Sequence, residues 1–398
     1  MMKPERLNRV SLHISTLIAL VLLTASAAFA DCPNQVKPAG GDPLQMLVLG
    51  DSIMWGQGLK DEEKFSSRVK CWLQEQTNRE VKVHVEAHSG AVISGSALAQ
   101  PSFTTSDGEV NLTSPTINEQ LDHAVQFYKQ NQATPALILM NGCINDIGVK
   151  NLLAASTPLE DLRAQVRQNC GEKMQLLLQR VRNSFPQSQV VVTGYYPIVS
   201  LQTADNAFLR LLVKKLNNQR TEARSMTDKE MRQRLIMISD EWYKTSSASL
   251  AEAVMKTNGR ESPSPKVAFA EIQFGPEHLF AAPETLLWTF LFASTKASGF
   301  AKVVVLLSFG TAAYKANDHV RESRIKSCEQ TFKKPNGKED KKQKEDREDL
   351  FLICRYASLG HPNNTGAMVY TEAIKGQLLQ LMDKAGWKRG IDRATTPR

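Results

Sequence analysis

The strongest constraint on the fold is an alternation of short apolar segments with longer amphipathic ones between residues 44 and 240. Apolar runs bounded by turn residues indicate buried strands, and apolar residues repeating at a helical period indicate helices. Strands alternating with helices predict a parallel sheet covered on both faces. The predicted strands are 44–49, 81–85 and 235–240, with two more inside 135–146 and 189–199, and the predicted helices are 61–77, 117–130, 159–185 and 205–226.

Polar or glycine-containing turns follow four of the predicted strands. Ser52, Gly90, Asn145 and the pair Tyr195-Tyr196 lie just beyond strand ends. Ligands of open parallel sheets bind beyond the carboxyl ends of the strands. The shared placement of these turns therefore predicts a functional site at that edge.

A fifth polar loop lies near the end of the chain, in the stretch SLGHPNNTGAM. It carries His361 and leads directly into the last predicted amphipathic helix. Histidine is the side chain best suited to act as a base near neutral pH. His361 is therefore the candidate base for a hydroxyl nucleophile.

These blocks resemble the four sequence blocks of the SGNH/GDSL hydrolases. The matching residues are Gly50-Asp51-Ser52, Gly90, Asn145-Asp146 and His361-Pro362-Asn363, in the order of that family. The resemblance covers 44–240 and about 356–385. It implies a flavodoxin-like three-layer α/β/α fold with a parallel sheet, a large insertion before the last helix, and hydrolysis of carboxylic esters without metal or cofactor.

The resemblance also implies a role for each site residue. Ser52 is the expected nucleophile and His361 the base that accepts its proton, because a serine hydroxyl is a weak nucleophile without a base. The expected oxyanion donors are the backbone N–H groups of Ser52 and Gly90 and the side-chain amide of Asn145. Gly90 suits this role because a residue without Cβ lets the backbone approach a substrate closely.

The residue that orients His361 is a first departure from the family pattern. The family usually has aspartate three residues before the histidine, and Ser358 occupies that position here. A Ser-His dyad, with the carbonyl or hydroxyl of Ser358 as orienter, is the favoured interpretation. The alternative is a carboxylate from elsewhere, Asp240 or Asp318.

Two further departures concern the second and third blocks. The third block places Cys143 where the family usually has glycine, which leaves the geometry of that loop open. The second block, SGAVISG, is longer than the common form, so Gly95 is a rival to Gly90. Several other polar or aromatic residues near the blocks are expected to be structural: Asp51, His84, His88, Asp146, His278 and Trp288.

The N-terminal 30 residues have the pattern of a secretory signal peptide. Basic residues precede a short apolar core, and small residues end the segment at Ala30. We therefore predict a secreted or periplasmic protein whose mature chain, 31–398, is one SGNH hydrolase domain. All six cysteines lie in that part, which favours disulfides over metal ligands, with Cys328–Cys354 the best candidate pair and a disulfide also expected for Cys143.

The segment 244–354 is predicted to be an insertion, made of an apolar part and a charged loop at 333–349. The apolar part, 279–308, favours an acyl chain and hence a lipid or lysophospholipid ester, and makes contact with a membrane surface possible. A polysaccharide acetyl esterase and a non-catalytic cell-envelope binding protein are the alternatives. Positive charges are mixed with acidic ones throughout, so no nucleic-acid partner is expected.

Overall fold

The structure is a computed structural model that describes residues 32, 42–95, 108–205, 210, 213, 226–259, 266–292, 314–335, 337–385 and 387. The predicted signal peptide, 1–30, lies outside these residues. So does nearly all of the predicted helix 205–226.

A five-stranded parallel sheet forms the centre of the molecule, in the order β2-β1-β3-β4-β5. This confirms the predicted α/β class and parallel sheet. The inner strands β1, β3 and β4 are apolar along most of their length because helices cover both faces of the sheet. The strands are β1 (Leu44–Leu49), β2 (Val81–Val85), β3 (Leu137–Met140), β4 (Gln189–Thr193) and β5 (Val267–Ala270).

Eleven α-helices have defined bounds in the described part of the chain. The second and the last pack against each other, and the seventh packs against the third and the eighth. They are α1 (Ser52–Trp55), α2 (Phe65–Thr77), α3 (Ile117–Gln130), α4 (Ile144–Ile147), α5 (Val149–Leu152), α6 (Leu159–Val166), α7 (Met174–Ser184), α8 (Asp228–Asn258), α9 (Arg321–Thr331), α10 (Lys341–Arg355) and α11 (Asn364–Ala385). A π-helical segment, Arg167–Lys173, joins α6 to α7, so the predicted helix 159–185 is continuous.

The predicted strand at 235–240 is wrong, because these residues lie inside α8. Its Thr227 cap begins the helix with a capping box closed by Glu230. Leu235, Ile238 and Trp242 are buried at a helical spacing. A short apolar run cannot by itself distinguish a strand from a buried helical segment, and here the longer period decides.

The fifth strand is therefore β5, which lies 27 residues beyond the predicted one. The predicted lower bound of the insertion, 244, falls inside α8. Residues up to Ala270 belong to the central layers, since β5 pairs with β4 along the sheet. The chain after β5 includes a small antiparallel pair, β6 (Phe290–Phe292) and β7 (Tyr314–Ala316). The stretch 293–313, which holds much of the predicted apolar segment, lies outside the described residues.

The predicted loop at 333–349 is also partly wrong, because α10 begins at Lys341. Asp340 caps this helix by accepting from the backbone N–H of Gln343. Lys344 lies 3.9 Å from Glu348, one helical turn away. Such a charged sequence forms an exposed helix because its charges alternate at helical spacing.

Three disulfides join all six cysteines: Cys32–Cys71, Cys143–Cys170 and Cys328–Cys354. The predicted pair Cys328–Cys354 is confirmed, as is a disulfide at Cys143. The Cys328–Cys354 bridge connects α9 to α10 and lies in a small buried cluster of its own. In the described part of the chain, no helix has the length and apolar character needed to span a membrane.

Candidate active site

Ser52 lies at the start of α1, directly after β1. The turn between them is tight: Gly50 has a φ of 147°, and a Cβ there would lie 2.1 Å from the Asn141 side chain. Asp51 caps α1 by accepting from the backbone N–H of Ile53 at 2.9 Å. Ser52 is 8% exposed, so the residue is nearly buried but solvent still reaches part of it. The strand therefore ends in a fixed turn that presents this hydroxyl at the carboxyl edge of the sheet.

Asp51 holds the turn from within the core, as predicted. Its carboxylate accepts from the Asn141 amide at 2.8 Å and from the Tyr195 hydroxyl at 2.7 Å. Burial raises the pKa of Asp51, and these hydrogen bonds oppose the rise. Because these partners follow β3 and β4, Asp51 holds together the chain at the ends of three neighbouring strands. Asn141 was missed by the sequence reasoning, although a polar residue directly after the apolar strand β3 was a usable signal.

His361 meets Ser52 across 309 positions of sequence: its Nε2 lies 2.6 Å from the Ser52 hydroxyl oxygen. The loop that carries it is tied to the segment before β6. The backbone N–H of Trp288 donates to the His361 carbonyl at 2.8 Å, and the backbone N–H of Gly360 donates to the Trp288 carbonyl at 2.9 Å. The Tyr196 hydroxyl also donates to the Gly360 carbonyl at 2.7 Å. The structure thus brings the two predicted reacting groups into hydrogen-bonding contact.

Burial of the imidazole lowers the pKa of His361 from 6.5 to about 4, and the positive charge of Arg324 lowers it further. The carbonyls of Ser358 and Leu359 and the carboxylate of Asp318 oppose this shift. The residue as a whole is only partly buried. Because its pKa lies below the ordinary value, the ring loses its proton well below pH 7. His361 is therefore neutral at pH 7 and able to accept a proton.

Ser358, three residues before His361, is fully buried. Its hydroxyl donates to the Asp318 carboxylate at 2.7 Å, and its carbonyl accepts from the His361 backbone N–H at 2.9 Å. Of the two carboxylates considered from the sequence, only Asp318 lies near the site. Asp240 is on α8 and pairs with Lys244 at the surface. Asp318 is hydrogen-bonded to Ser358, and its negative charge raises the pKa of His361.

Gly90 has a backbone conformation that requires glycine. Its φ is 86°, and a Cβ there would lie 2.2 Å from the Asn111 side chain and 2.6 Å from the Leu112 carbonyl. The preceding loop is held next to the nucleophile turn, because the His88 N–H donates to the Gly50 carbonyl at 3.0 Å. Gly95 has no such requirement: a Cβ there would make an ordinary contact with Val92 at 3.5 Å. These features favour Gly90 over Gly95 as the residue whose backbone can approach a substrate closely.

Asn145 lies in α4, beyond the end of β3, and its amide donates to the Ala91 carbonyl at 3.0 Å. The second and third blocks are thereby in direct contact. Asp146 adds a second link, since it accepts from the backbone N–H of Ile93 at 2.9 Å, as its predicted bracing role requires. Cys143 adopts a φ of 115°, a conformation that glycine normally provides, and its disulfide to Cys170 fixes it there.

The remaining residues expected to be structural have contacts of that kind. His84 pairs with Glu86 at 2.7 Å and stacks on Phe127. Nδ1 of His88 lies 2.9 Å from the Ser89 carbonyl. In the described ranges, no group of three or more His, Cys, Asp or Glu side chains is arranged to hold a metal ion.

A serine and a histidine in contact at the carboxyl edge of a parallel α/β sheet are what the resemblance to the SGNH/GDSL hydrolases implies. The family model of GDSL-like lipases and acylhydrolases matches residues 46–239, the segment that carries the first three sequence blocks. The resemblance predicted from the four blocks is confirmed. His361 lies outside the matched residues, so its relation to Ser52 comes from the structure.

Several solved structures are similar to this chain at low identity. An extracellular lipase from Streptomyces rimosus is 13% identical, with a TM-score of 0.36, covering 62% of this chain and 88% of its own. A phospholipase A1 from Streptomyces albidoflavus is 12% identical, with a TM-score of 0.35, covering 64% and 90%. A carbohydrate esterase family 2 enzyme from Corynascus thermopiles (Myceliophthora fergusii) is 16% identical, with a TM-score of 0.31, covering 60% and 59%. No curated protein matches the sequence.

Proposed function

We propose that the protein is an exported serine esterase that cleaves carboxylic esters through an acyl-enzyme on Ser52. The observation that carries this proposal is the 2.6 Å contact between the Ser52 hydroxyl and Nε2 of His361. A histidine within hydrogen-bonding distance of a hydroxyl is the geometry that activates a serine. The family match over 46–239 supports ester hydrolysis as the reaction class.

The reaction proceeds in two half-reactions. The Ser52 oxygen attacks the ester carbonyl carbon while its proton passes to Nε2 of His361. The tetrahedral intermediate collapses, and the alcohol leaves with the proton held by His361. Water then attacks the acyl-enzyme, again losing a proton to His361, and the carboxylic acid and free Ser52 are released. The depressed pKa of His361 suits the first step, because the ring is ready to accept a proton.

Stabilisation of the oxyanion is assigned to the N–H groups of Ser52 and Gly90 and to the amide of Asn145. Ser52 is the first residue of α1, so its N–H has no acceptor inside the helix. The positive φ of Gly90 and the link between Asn145 and Ala91 support a loop fixed in place before substrate binds. Donors fixed in this way need no reorganisation during the reaction.

A lipid or lysophospholipid ester is the proposed substrate. Trp288 is 4% exposed and bonded to both Gly360 and His361, so the chain leading into β6 lies against the histidine loop. Beyond Phe292 the sequence continues with an apolar stretch that includes KVVVLLSFG. A stretch of this apolar composition is suited to an acyl chain.

Export is proposed from two observations. The first 30 residues have the composition of a signal peptide, and three disulfides join all six cysteines. Disulfides form and persist in oxidising compartments outside the cytoplasm. The full-length gene expressed with its own leader is expected to yield mature protein in the periplasm or medium, with an N-terminus near Asp31.

The test is labelling of the mature protein with a fluorophosphonate probe, with Ser52→Ala and His361→Ala as controls. Labelling is expected for the wild type and not for either variant. Hydrolysis of p-nitrophenyl esters of increasing acyl length is measured alongside. A preference for long chains supports the lipid substrate, and a preference for acetate supports a deacetylase. Folded wild-type protein that neither labels nor hydrolyses any ester contradicts the proposal.

A further inference from the structure

The Ser358 hydroxyl has its proton committed to Asp318. The Asp318 carboxylate forms two hydrogen bonds with the Arg324 guanidinium, at 2.8 and 2.7 Å, and accepts from Ser358 at 2.7 Å. An ionised carboxylate paired to a guanidinium accepts hydrogen bonds and donates none. Ser358 is therefore the donor in this contact. This bond anchors Ser358, and with it the start of the histidine loop, to Asp318.

The His361 ring has a buried nitrogen that needs an acceptor. Because Ser52 must donate its proton to Nε2, the neutral ring carries its own proton on Nδ1. This Nδ1 is buried and has no hydrogen bond of good geometry within the described residues. The carbonyls of Ser358 and Leu359 are close enough to favour the protonated ring, although they are poorly aligned. A buried N–H without an acceptor is costly, so we expect a small movement to bring one of these two carbonyls into line with Nδ1–H.

The ion pair Asp318–Arg324 is also linked, through Glu109, to the chain that follows the nucleophile. Both side chains are fully buried, and Arg324 lies 3.6 Å from the Glu109 carboxylate. Glu109 accepts from the Gly58 N–H at 3.0 Å, shortly after the helix that begins with Ser52. It also accepts from the amide of Gln57. One buried polar network thus spans from the histidine loop to the chain that follows the nucleophile.

We propose that Asp318 acts through Ser358 as the positioning carboxylate of His361, in place of the aspartate that the family usually has at position 358. The hydrogen bond from the Ser358 hydroxyl to Asp318 fixes the Ser358 carbonyl beside the ring, and this carbonyl accepts Nδ1–H of His361 as the imidazolium forms. No proton leaves Nδ1 or Ser358 in this step; the only proton transferred is that from Ser52 to Nε2. Asp318 lies outside the segment 46–239, so the network is supplied by the part of the chain after the sheet. This inference rests on the proposed function of Ser52 and His361.

The first test compares four variants by kcat and KM on a p-nitrophenyl ester. Ser358→Ala and Asp318→Asn are expected to lower kcat about 10- to 100-fold with KM nearly unchanged, because the base remains but its orientation is lost. Ser358→Thr keeps the hydroxyl and is expected to restore most of the activity. Asp240→Asn, which removes a surface carboxylate of the same type, is the matched control and should keep wild-type kcat.

Asp318→Asn leaves Arg324 without its charged partner, so this variant can fail to fold. Ser358→Ala removes a single hydroxyl, and its circular dichroism and thermal unfolding establish that it folds. If folded Ser358→Ala has wild-type kcat, the inference is overturned. If it loses kcat and Ser358→Thr recovers it, the inference is supported.

The second test reads the imidazole directly and does not need turnover. In protein labelled with 15N-histidine, the signals of His361 are assigned by their loss in His361→Ala. Wild type is expected to show the Nδ1–H tautomer, and Ser358→Ala a mixture of the two tautomers. An unchanged tautomer in Ser358→Ala overturns the inference. A further outcome is a tautomer shift in Ser358→Ala while the folded wild-type protein does not react with a fluorophosphonate. In that case the proposed function fails, and the positioning role of Ser358 stands.

Discussion

Replacement of Gly90 by alanine tests the oxyanion loop most sharply. A φ of 86° costs a residue with a Cβ about 1–2 kcal/mol. The new methyl group would lie 2.2 Å from Asn111, 2.6 Å from the Leu112 carbonyl and 2.8 Å from the Leu112 nitrogen. Two of these three contacts are with backbone atoms, so relief requires the loop to move, at a further cost of about 1–3 kcal/mol. We expect Gly90→Ala to destabilise the fold by about 2–5 kcal/mol.

A loop that moves to relieve this clash also carries away its N–H donor. Loss of one oxyanion donor lowers kcat about 100- to 1,000-fold. The assay is kcat on a p-nitrophenyl ester together with urea unfolding. Gly95→Ala is the control: it meets only Val92 at 3.5 Å, and its stability should change by less than about 0.5 kcal/mol.

Two outcomes would refute this reasoning. If Gly90→Ala keeps wild-type kcat and stability, the loop does not supply a donor from this residue. If Gly95→Ala instead loses kcat by a similar factor while remaining stable, Gly95 is the donor and the longer second block places its N–H at the substrate.

The other predictions concern the base, the amide donor and the third-block disulfide. The pKa of His361 is lowered toward about 4, and the neutral ring is the active form. A plot of kcat/KM against pH should therefore rise with a midpoint below 6.5 and stay high at pH 7. A midpoint above 6.5 would contradict this. Asn145→Ala should lower kcat about 100- to 1,000-fold while the melting temperature stays near that of the wild type, since the substitution removes only a single hydrogen bond to the Ala91 carbonyl. The double variant Cys143→Ser, Cys170→Ser should lose about 3 kcal/mol of unfolding free energy in urea, because the bridge closes a loop of 27 positions. Its kcat should also fall, because Asn145 follows Cys143 by two residues.

Local pattern was enough to predict much of this molecule. The apolar runs at Leu44–Leu49 and Val81–Val85 are strands, and 117–130 is a helix with the predicted bounds. The strand-helix alternation also predicted the parallel sheet and the edge at which Ser52, Gly90 and Asn145 lie. Both features depend on residues close together in sequence, which is why pattern detects them.

The sequence misled where a local pattern fits two structures. Residues 235–240 are apolar enough for a strand, but the periodicity across 31 residues makes them part of α8. The charged run at 333–349 is typical of a loop, yet an Asp340 cap and paired charges make a helix from Lys341. In both cases the deciding interactions extend beyond the short window that suggested the prediction.

Only tertiary structure decided which distant groups meet. The contact of Ser52 with His361 spans 309 positions, and no period or motif shows that their side chains lie 2.6 Å apart. The sequence offered Asp240 and Asp318 equally as carboxylates, and the fold put the first at the surface and the second in hydrogen-bonding contact with Ser358. Arg324 gave no sequence signal, because a buried ion pair depends on three-dimensional packing that brings two charges together away from water. The sequence by itself determined the elements and the chemical groups, and the packing of the chain determined which of those groups act on one another.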